Sequence, residues 1–239
     1  MLGRGSSVFL RQALGHQSML TMGFHHSNGS DHSVAGQGAL GQARLHHQFR
    51  NGLRLGFGAG YVAEKDALFR STSTGAFGGA GDTQSQYYSI SAAGPVANGI
   101  TVFADYTEAT AQPAFSSGSI FSNWSRVRAN SFAVGITRQS VYAAGDRLGL
   151  TLRQPLRVRQ SSADVTLPVA RDLAGNVIQQ TQRLDLEPDG QQLDIQLAYR
   201  RQLGTSSHIR AFSTLSLQPG HARAAEPQVA VGVKWGLTF

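Results

Sequence analysis

The eleven residues from Val229 to Phe239 read V-A-V-G-V-K-W-G-L-T-F and alternate without a break. Val229, Val231, Val233, Trp235, Leu237 and Phe239 are large and apolar, whereas Ala230, Gly232, Lys234, Gly236 and Thr238 are small or polar. A period of two places every second side chain on the same side of the backbone. The segment therefore reads as a β-strand with one apolar and one polar face.

The same period recurs upstream. Leu53, Leu55, Phe57, Ala59 and Tyr61 oppose Arg54, Gly56, Gly58 and Gly60, and Ile100, Val102, Ala104 and Tyr106 oppose Thr101, Phe103, Asp105 and Thr107. Phe132, Val134 and Ile136, then Leu148, Leu150 and Leu152, then Leu193, Ile195, Leu197 and Tyr199 repeat it. No stretch of comparable length keeps a helical period. Turn chemistry separates the runs: Asn51-Gly52 and Asn98-Gly99 are strong hairpin signals, with Gly145-Asp146, Asp189-Gly190 and Gly204-Thr205-Ser206 serving similarly.

These signals predict strands at 17–27, 36–50, 52–64, 83–95, 99–111, 129–142, 147–159, 163–169, 177–187, 190–202, 207–217 and 228–239, with residues 1–16 as a lead-in or linker. A single long strand over 147–169 is the alternative at that point. With twelve strands, the connections near 51, 97, 144 and 205 are short and share one side. Those at 28–35, 65–82, 112–128 and 218–227 are long and share the other. The connection 170–176 and a tight turn at 187–190 fit this scheme less well. The expectation is an all-β, up-and-down antiparallel transmembrane β-barrel of about 12 strands over residues 17–239. Such barrels have short turns at one end and long loops at the other.

Composition agrees with that expectation. The chain has 239 residues and no Cys, which excludes disulfide staples and thiolate metal sites. No run approaches the roughly 18 apolar residues of a membrane-spanning helix. No secretory signal is visible, because Arg4 and Arg11 break the apolar run around Leu2, Val8, Phe9 and Leu10. An exported protein with this sequence would be a mature form or the tail of a longer polypeptide. The formal net charge is +7, yet only Lys65 and Lys234 are lysines, and the arginines form no cluster with interleaved aromatics. A nucleic-acid partner is therefore not expected.

Candidate functional residues follow from the faces. Arg44, Arg54, Asp105, Arg153, Asp194, Arg200, Arg210 and Lys234 fall on the polar side and read as lumen-lining. They either hydrate a pore and grip a threaded segment, or neutralise one another within a wet interior. Phe24, Tyr61, Tyr106 and Tyr199 lie on apolar faces towards strand ends, as in an interfacial aromatic girdle. Gly56, Gly58, Gly60, Gly232 and Gly236 leave room on the polar side for another backbone, or serve curvature alone. The paired histidines His25-His26 and His46-His47 point to opposite faces of a strand and cannot chelate one ion together. His25 or His26 with His32 across a loop is the one metal arrangement the spacing permits. The sequence Asp31-His32-Ser33 is not a triad, which converges in space and not in sequence. No cofactor, metal or catalytic residue is assigned.

Five segments carry a family resemblance: Q-P-L-R-V (Gln154 to Val158), L-P-V-A-R-D-L-A-G-N-V (Leu167 to Val177), R-L-D-L-E-P-D-G (Arg183 to Gly190), L-D-I-Q-L-A-Y-R (Leu193 to Arg200) and Q-P-G-H (Gln218 to His221). With the terminal strand, they resemble the C-terminal barrel of proteobacterial subtilisin-like serine peptidases of the autotransporter type. The resemblance covers roughly the last two fifths of the chain. It implies an outer-membrane translocator and anchor for an N-terminal passenger, in contact with lipid and lipopolysaccharide and placed by the barrel-assembly machinery. In barrels of this kind the terminal strand, here Val231, Val233, Trp235, Leu237 and Phe239, is the assembly signal. The one G-T-S run, Gly204-Thr205-Ser206, is read as a short connection between strands and lacks the peptidase's flanking motifs, so peptidase activity is not carried over to this chain. The alternatives are a free-standing outer-membrane porin-like channel and a soluble lipocalin-like barrel, the latter with its apolar residues inside.

Overall fold

The computed structural model describes residues 5–27, 38–65, 67–68, 71–72, 82–113, 119–204 and 207–237. It is all-β. The strands are β1 (Gly5–Ala13), β2 (Ser18–Ser27), β3 (Gly38–Gln48), β4 (Arg54–Glu64), β5 (Ala67–Leu68), β6 (Ser71–Thr72), β7 (Thr83–Ala97), β8 (Ile100–Gln112), β9 (Phe121–Ser122), β10 (Val127–Gln139), β11 (Arg147–Gln160), β12 (Ser162–Arg171), β13 (Val177–Asp185), β14 (Leu193–Leu203), β15 (Ser207–Leu217) and β16 (Gln228–Leu237). One eleven-stranded antiparallel meander, in the order β1-β2-β3-β4-β7-β8-β10-β11-β14-β15-β16, dominates. Strands β13, β12 and β9 form a second small sheet, and β5 pairs with β6.

The sheet departs from the twelve-strand expectation in three ways. First, residues 5–13, expected in the lead-in, form β1 and pair with β2 along their whole length. Second, the segments expected as strands at 163–169 and 177–187 do not enter the main sheet. They pair with each other as the β12–β13 hairpin, and β11 pairs directly with β14. Third, the main sheet is not closed: β1 and β16 are its two edges.

Moving the hairpin out of the meander removes the misfit in the connections. The strand ends joined by 14–17, 49–53, 98–99, 140–146 and 204–206 all lie at one end of the main sheet. The strand ends joined by 28–37, 65–82, 113–126, 161–192 and 218–227 all lie at the other. The first set of links is short and the second long. The short turns use the expected chemistry: Gly52 and Gly99 have φ of 84° and 72°, a left-handed conformation that glycine adopts without steric penalty.

Pairing register sorts the side chains without exception along the central rows. One row runs from Ser18 through His47, Leu55, Ala92, Ala104, Val134, Leu152, Ile195 and Leu215 to Val229. Ser18 begins β2 at the short-turn end, whereas Val229 lies near the long-loop end of β16. The strands are thus progressively staggered by nearly a whole strand length, the kind of offset that closure of a tilted-strand barrel requires.

On the opposite face, rings cover glycines. Phe9, Tyr87, Phe103 and Phe212 lie directly across from Gly23, Gly60, Gly135 and Gly232. A Cβ on Gly23 would sit 2.7 Å from the Phe9 ring and one on Gly135 2.5 Å from the Phe103 ring. The aromatic ring occupies the space a side chain would need, so each pair fixes register as well as packing. Register shifts occur next to Pro95, Pro155 and Pro168, where a residue without an N–H cannot complete the ladder.

Gly60→Val is expected to destabilise the folded chain by about 1–3 kcal/mol, because the new side chain must displace the Tyr87 ring and its 2.9 Å hydrogen bond to Gln42. Gly41→Ala, with nothing within 4 Å of the added Cβ, is expected to leave stability unchanged or raise it. Urea unfolding of both variants in detergent micelles checks the contrast.

Candidate functional site

The face that contains the Ser18–Val229 row is apolar on every strand of the main sheet. It gathers Val8 and Leu10 on β1, Met22 and Phe24 on β2, Phe57 and Tyr61 on β4, Tyr88 and Ile90 on β7, and Val102 on β8. Val134 and Ile136, Leu150 and Leu152, Ile195 and Leu197, and Val229 to Trp235 continue it to the far edge. These side chains are exposed; Val231 and Val233 keep 74% and 68% of their accessible surface. A shallow groove of about 850 Å³ on this face is lined by Ala92, Val102, Ala104, Ile136, Leu150 and Leu152. Isolated exposed apolar residues are ordinary, but a contiguous sheet of them marks contact with an apolar medium or partner.

The residues expected in the aromatic girdle all lie on this face, at three levels. Phe24 and Tyr61 share a row towards the long-loop end. Tyr106 lies in mid-sheet and donates to Glu108 at 2.5 Å. Tyr199 lies towards the short-turn end and donates to Asp146 at 3.0 Å, stacked edge-on against the exposed Tyr142. In the terminal strand, Val231, Val233 and Trp235 stand on the apolar face and Leu237 ends β16. Phe239 lies outside the described residues, as do Asp31, His32 and Ser33.

Every charged residue expected to line a lumen lies on the opposite face. Arg153 pairs directly with Asp194, and Asp105 stands in the same row two strands away across Ala133. Arg44 and Arg54 pair with Gly58 and Gln48 on the β3–β4 side. His25 is hydrogen-bonded to Ser7 (2.6 Å) and His47 to Ser18 (2.7 Å). Among the described residues no three potential metal ligands converge.

Three of the motifs that carry the family resemblance, Q-P-L-R-V, E-P-D-G and Q-P-G-H, meet in space at the long-loop end. The bulge at Pro155 and Leu156 takes the Leu156 carbonyl out of the strand ladder, and His221 donates to it through Nε2 at 3.1 Å. The other ring nitrogen, Nδ1, accepts the Gln192 N–H at 2.9 Å, which fixes the neutral tautomer. Arg157 donates to the carbonyls of Gly190 (2.8 Å) and Pro188 (3.1 Å), clamping the E-P-D-G turn. Gln154 accepts from Gln191 at 2.6 Å, Gln218 accepts the Gln191 N–H at 2.7 Å, and Asp189 accepts the Arg223 N–H at 3.0 Å. Gly190 is wedged so tightly that a Cβ would lie 2.6 Å from the Arg223 nitrogen. The result is a polar knot that ties the root of the β12–β13 hairpin to the β15–β16 loop.

Burial holds the His221 pKa below the ordinary histidine value, and the Arg157 charge adds to it; the Leu156 carbonyl and Asp194 oppose the shift. At the short-turn end, Asp146 is 1% exposed, and burial opposes its ionisation. The N–H groups of Tyr142, Val141 and Ala143 and the Tyr199 hydroxyl outweigh that cost and hold its pKa down. In the hairpin, the Arg183 guanidinium, 2.9 Å away, and the Asn123 amide hold Asp164 below the usual carboxylate range.

No protein-family model matches the chain, and no curated protein matches it.

Sequence reading missed Arg147, Phe9, Tyr87 and Phe212 on the polar face, and the bonds of His221. Arg147, Tyr87 and Phe212 were signalled by parity within their strands, whereas Phe9 lies in a segment without alternation. The knot had no local signal, because its partners are as much as 65 residues apart.

His221 supplies a pH test. The unfolded chain takes up a proton near pH 6.5, whereas the folded ring resists it. The associated stability is complete above that pH and declines as pH falls below it. The melting midpoint of the wild type is therefore expected to fall more steeply below pH 6.5 than that of His221→Asn. Asn tolerates the positive φ of 59° at this position and does not titrate. Identical slopes for the two proteins would contradict the assignment.

Proposed function

We propose that this chain is an outer-membrane β-barrel that acts as the non-catalytic translocator and anchor of an autotransporter-like secreted protein. The observation that carries the reading is the apolar face, which crosses the main sheet and is exposed on every strand but β15, where it is half-buried. In water such a surface is an aggregation liability, whereas in a bilayer it is the required exterior. The segregation of short turns and long loops and the stagger of the strands support a closed barrel in the membrane. The convergence of the Q-P-L-R-V, E-P-D-G and Q-P-G-H motifs on one local structure supports the autotransporter assignment. In this reading the polar face lines the lumen, the terminal strand addresses the chain to the barrel-assembly machinery, and lipid and lipopolysaccharide contact the apolar band. Any peptidase activity belongs to the passenger. A soluble ligand-binding barrel runs against the exposure of the apolar face. A free-standing porin-like channel shares the wall and differs only in lacking a passenger.

Two experiments test the reading. Val233→Arg places a charge in the middle of the apolar band and is expected to cost about 2–4 kcal/mol of stability in bilayers. Lys234→Arg on the other face is expected to be nearly neutral. Equal costs in unfolding titrations of the two variants would remove the membrane orientation. A reporter domain fused upstream of residue 1 is expected to become protease-accessible on intact Gram-negative cells. A well-inserted barrel whose reporter stays internal would favour the channel over the translocator.

A further inference from the structure

The polar face carries a charge pattern that the anchor role does not use. Arg147 on β11 pairs directly with Arg200 on β14, Arg200 with Arg210 on β15, and Arg210 with Lys234 on β16. Four cations thus stand in one cross-strand row, with neighbouring Cβ atoms roughly 5 Å apart. All four residues are exposed. Like charges directly opposite one another destabilise a sheet, so such a row is costly unless an anion joins it.

Among the described residues the surroundings supply none. Along the same face the nearest neighbours are Gly149, Ala198, Gln202, His208, Phe212, Gly232 and Gly236, and no carboxylate is among them. Asp194 is on this face of β14 but six residues from Arg200, roughly 20 Å along the strand. It is also buried, pairs with Arg153 and accepts from Gln192 at 2.8 Å. Asp146 precedes Arg147 in the chain, but its carboxylate is enclosed by three backbone N–H groups and the Tyr199 hydroxyl. The one side-chain ion pair among the described residues is Arg183–Asp164, in the hairpin.

We propose that the Arg147–Arg200–Arg210–Lys234 ladder is a binding site for a soluble multivalent oxyanion of the polyphosphate class. Three guanidinium forks offer paired N–H donors to oxyanion edges, and the ammonium adds a point charge at the end of the row. A compact anion with several charged groups contacts adjacent cations at once and removes their mutual repulsion. A lipid phosphate is not the occupant, because the apolar band is on the other side of the same strands. The proposal rests on strand pairing and stands independently of export.

The test uses the full chain folded in detergent micelles, with tripolyphosphate as the probe. Calorimetry is expected to show saturable, salt-sensitive binding that weakens about tenfold or more in Arg200→Gln/Arg210→Gln, since each lost guanidinium removes a charge-assisted pair. Arg171→Gln, at the end of β12 in the hairpin, is expected to bind as the wild type does. Without the anion the double variant is expected to melt at the same temperature as the wild type or higher, because repulsion is relieved. With the anion only the wild type and Arg171→Gln are expected to gain stability. Should the double variant fail to fold, Lys234→Gln read by the same titration replaces it. Absence of saturable binding, equal binding by the ladder variants, or displacement of the probe by phosphatidylglycerol added to the micelles would overturn the assignment.

Discussion

Side chains alternate between the two faces of a strand, so a slip of one residue at any pairing of the main sheet would exchange its apolar and polar faces. The molecule guards against this in several places at once. Phe9, Tyr87, Phe103 and Phe212 each need a glycine directly opposite, and each finds one. Shifting any of these pairs by one position would set the ring against a residue with a side chain. The tight turns at Asn51-Gly52 and Asn98-Gly99 fix the neighbouring pairings by geometry. Register is what makes the apolar face continuous, and continuity makes it a wall. Full burial of a Val or Leu side chain is worth about 1.5–3 kcal/mol, so a band of this breadth carries a large driving force to leave water.

The ends of the sheet are built differently because they do different work. At the short-turn end the chain reverses with few residues, and Asp146 gathers three successive N–H groups so that the β10–β11 turn holds its shape. At the long-loop end the β11 strand runs past its main-sheet partner β14 and continues, after Ser161, into the β12–β13 hairpin. The knot around His221 and Arg157 anchors that projection where it leaves the sheet. It works because Pro155 breaks the ladder there. A bulge releases the Leu156 carbonyl, and the released carbonyl becomes the acceptor for a loop that arrives 65 residues later.

Alternation made the faces legible: the residues read as apolar or polar in β4, β8, β10, β11, β14 and β16 stand where parity placed them. It did not make partners legible. The β12 and β13 segments alternate much as barrel strands do, and nothing within either says whether it pairs with the main sheet or with the other. β1 escaped notice for the opposite reason. Val8, Phe9 and Leu10 are consecutive apolar residues, and the strand is recognisable only once Phe9 is seen covering Gly23 on the polar face. The charged positions share one side of the sheet, and among them only Arg153 and Asp194 stand directly opposite each other with opposite charge. The ladder from Arg147 to Lys234 is a product of pairing, invisible in any single strand.

The strand count constrains the two edges. Eleven strands in an antiparallel meander leave β1 and β16 running in the same direction. Direct pairing between them is therefore parallel, while a strand set between them is antiparallel to both. In either arrangement the apolar side continues across the seam, from Val229, Val231, Val233 and Trp235 to Val8 and Leu10. Unpaired backbone donors and acceptors along both edges have no water to satisfy them within a bilayer, so the seam is the place where the proposed barrel must complete its hydrogen bonding. The alternating terminal strand is one lip of that seam, and its register with β15 already fixes which of its faces any partner will extend.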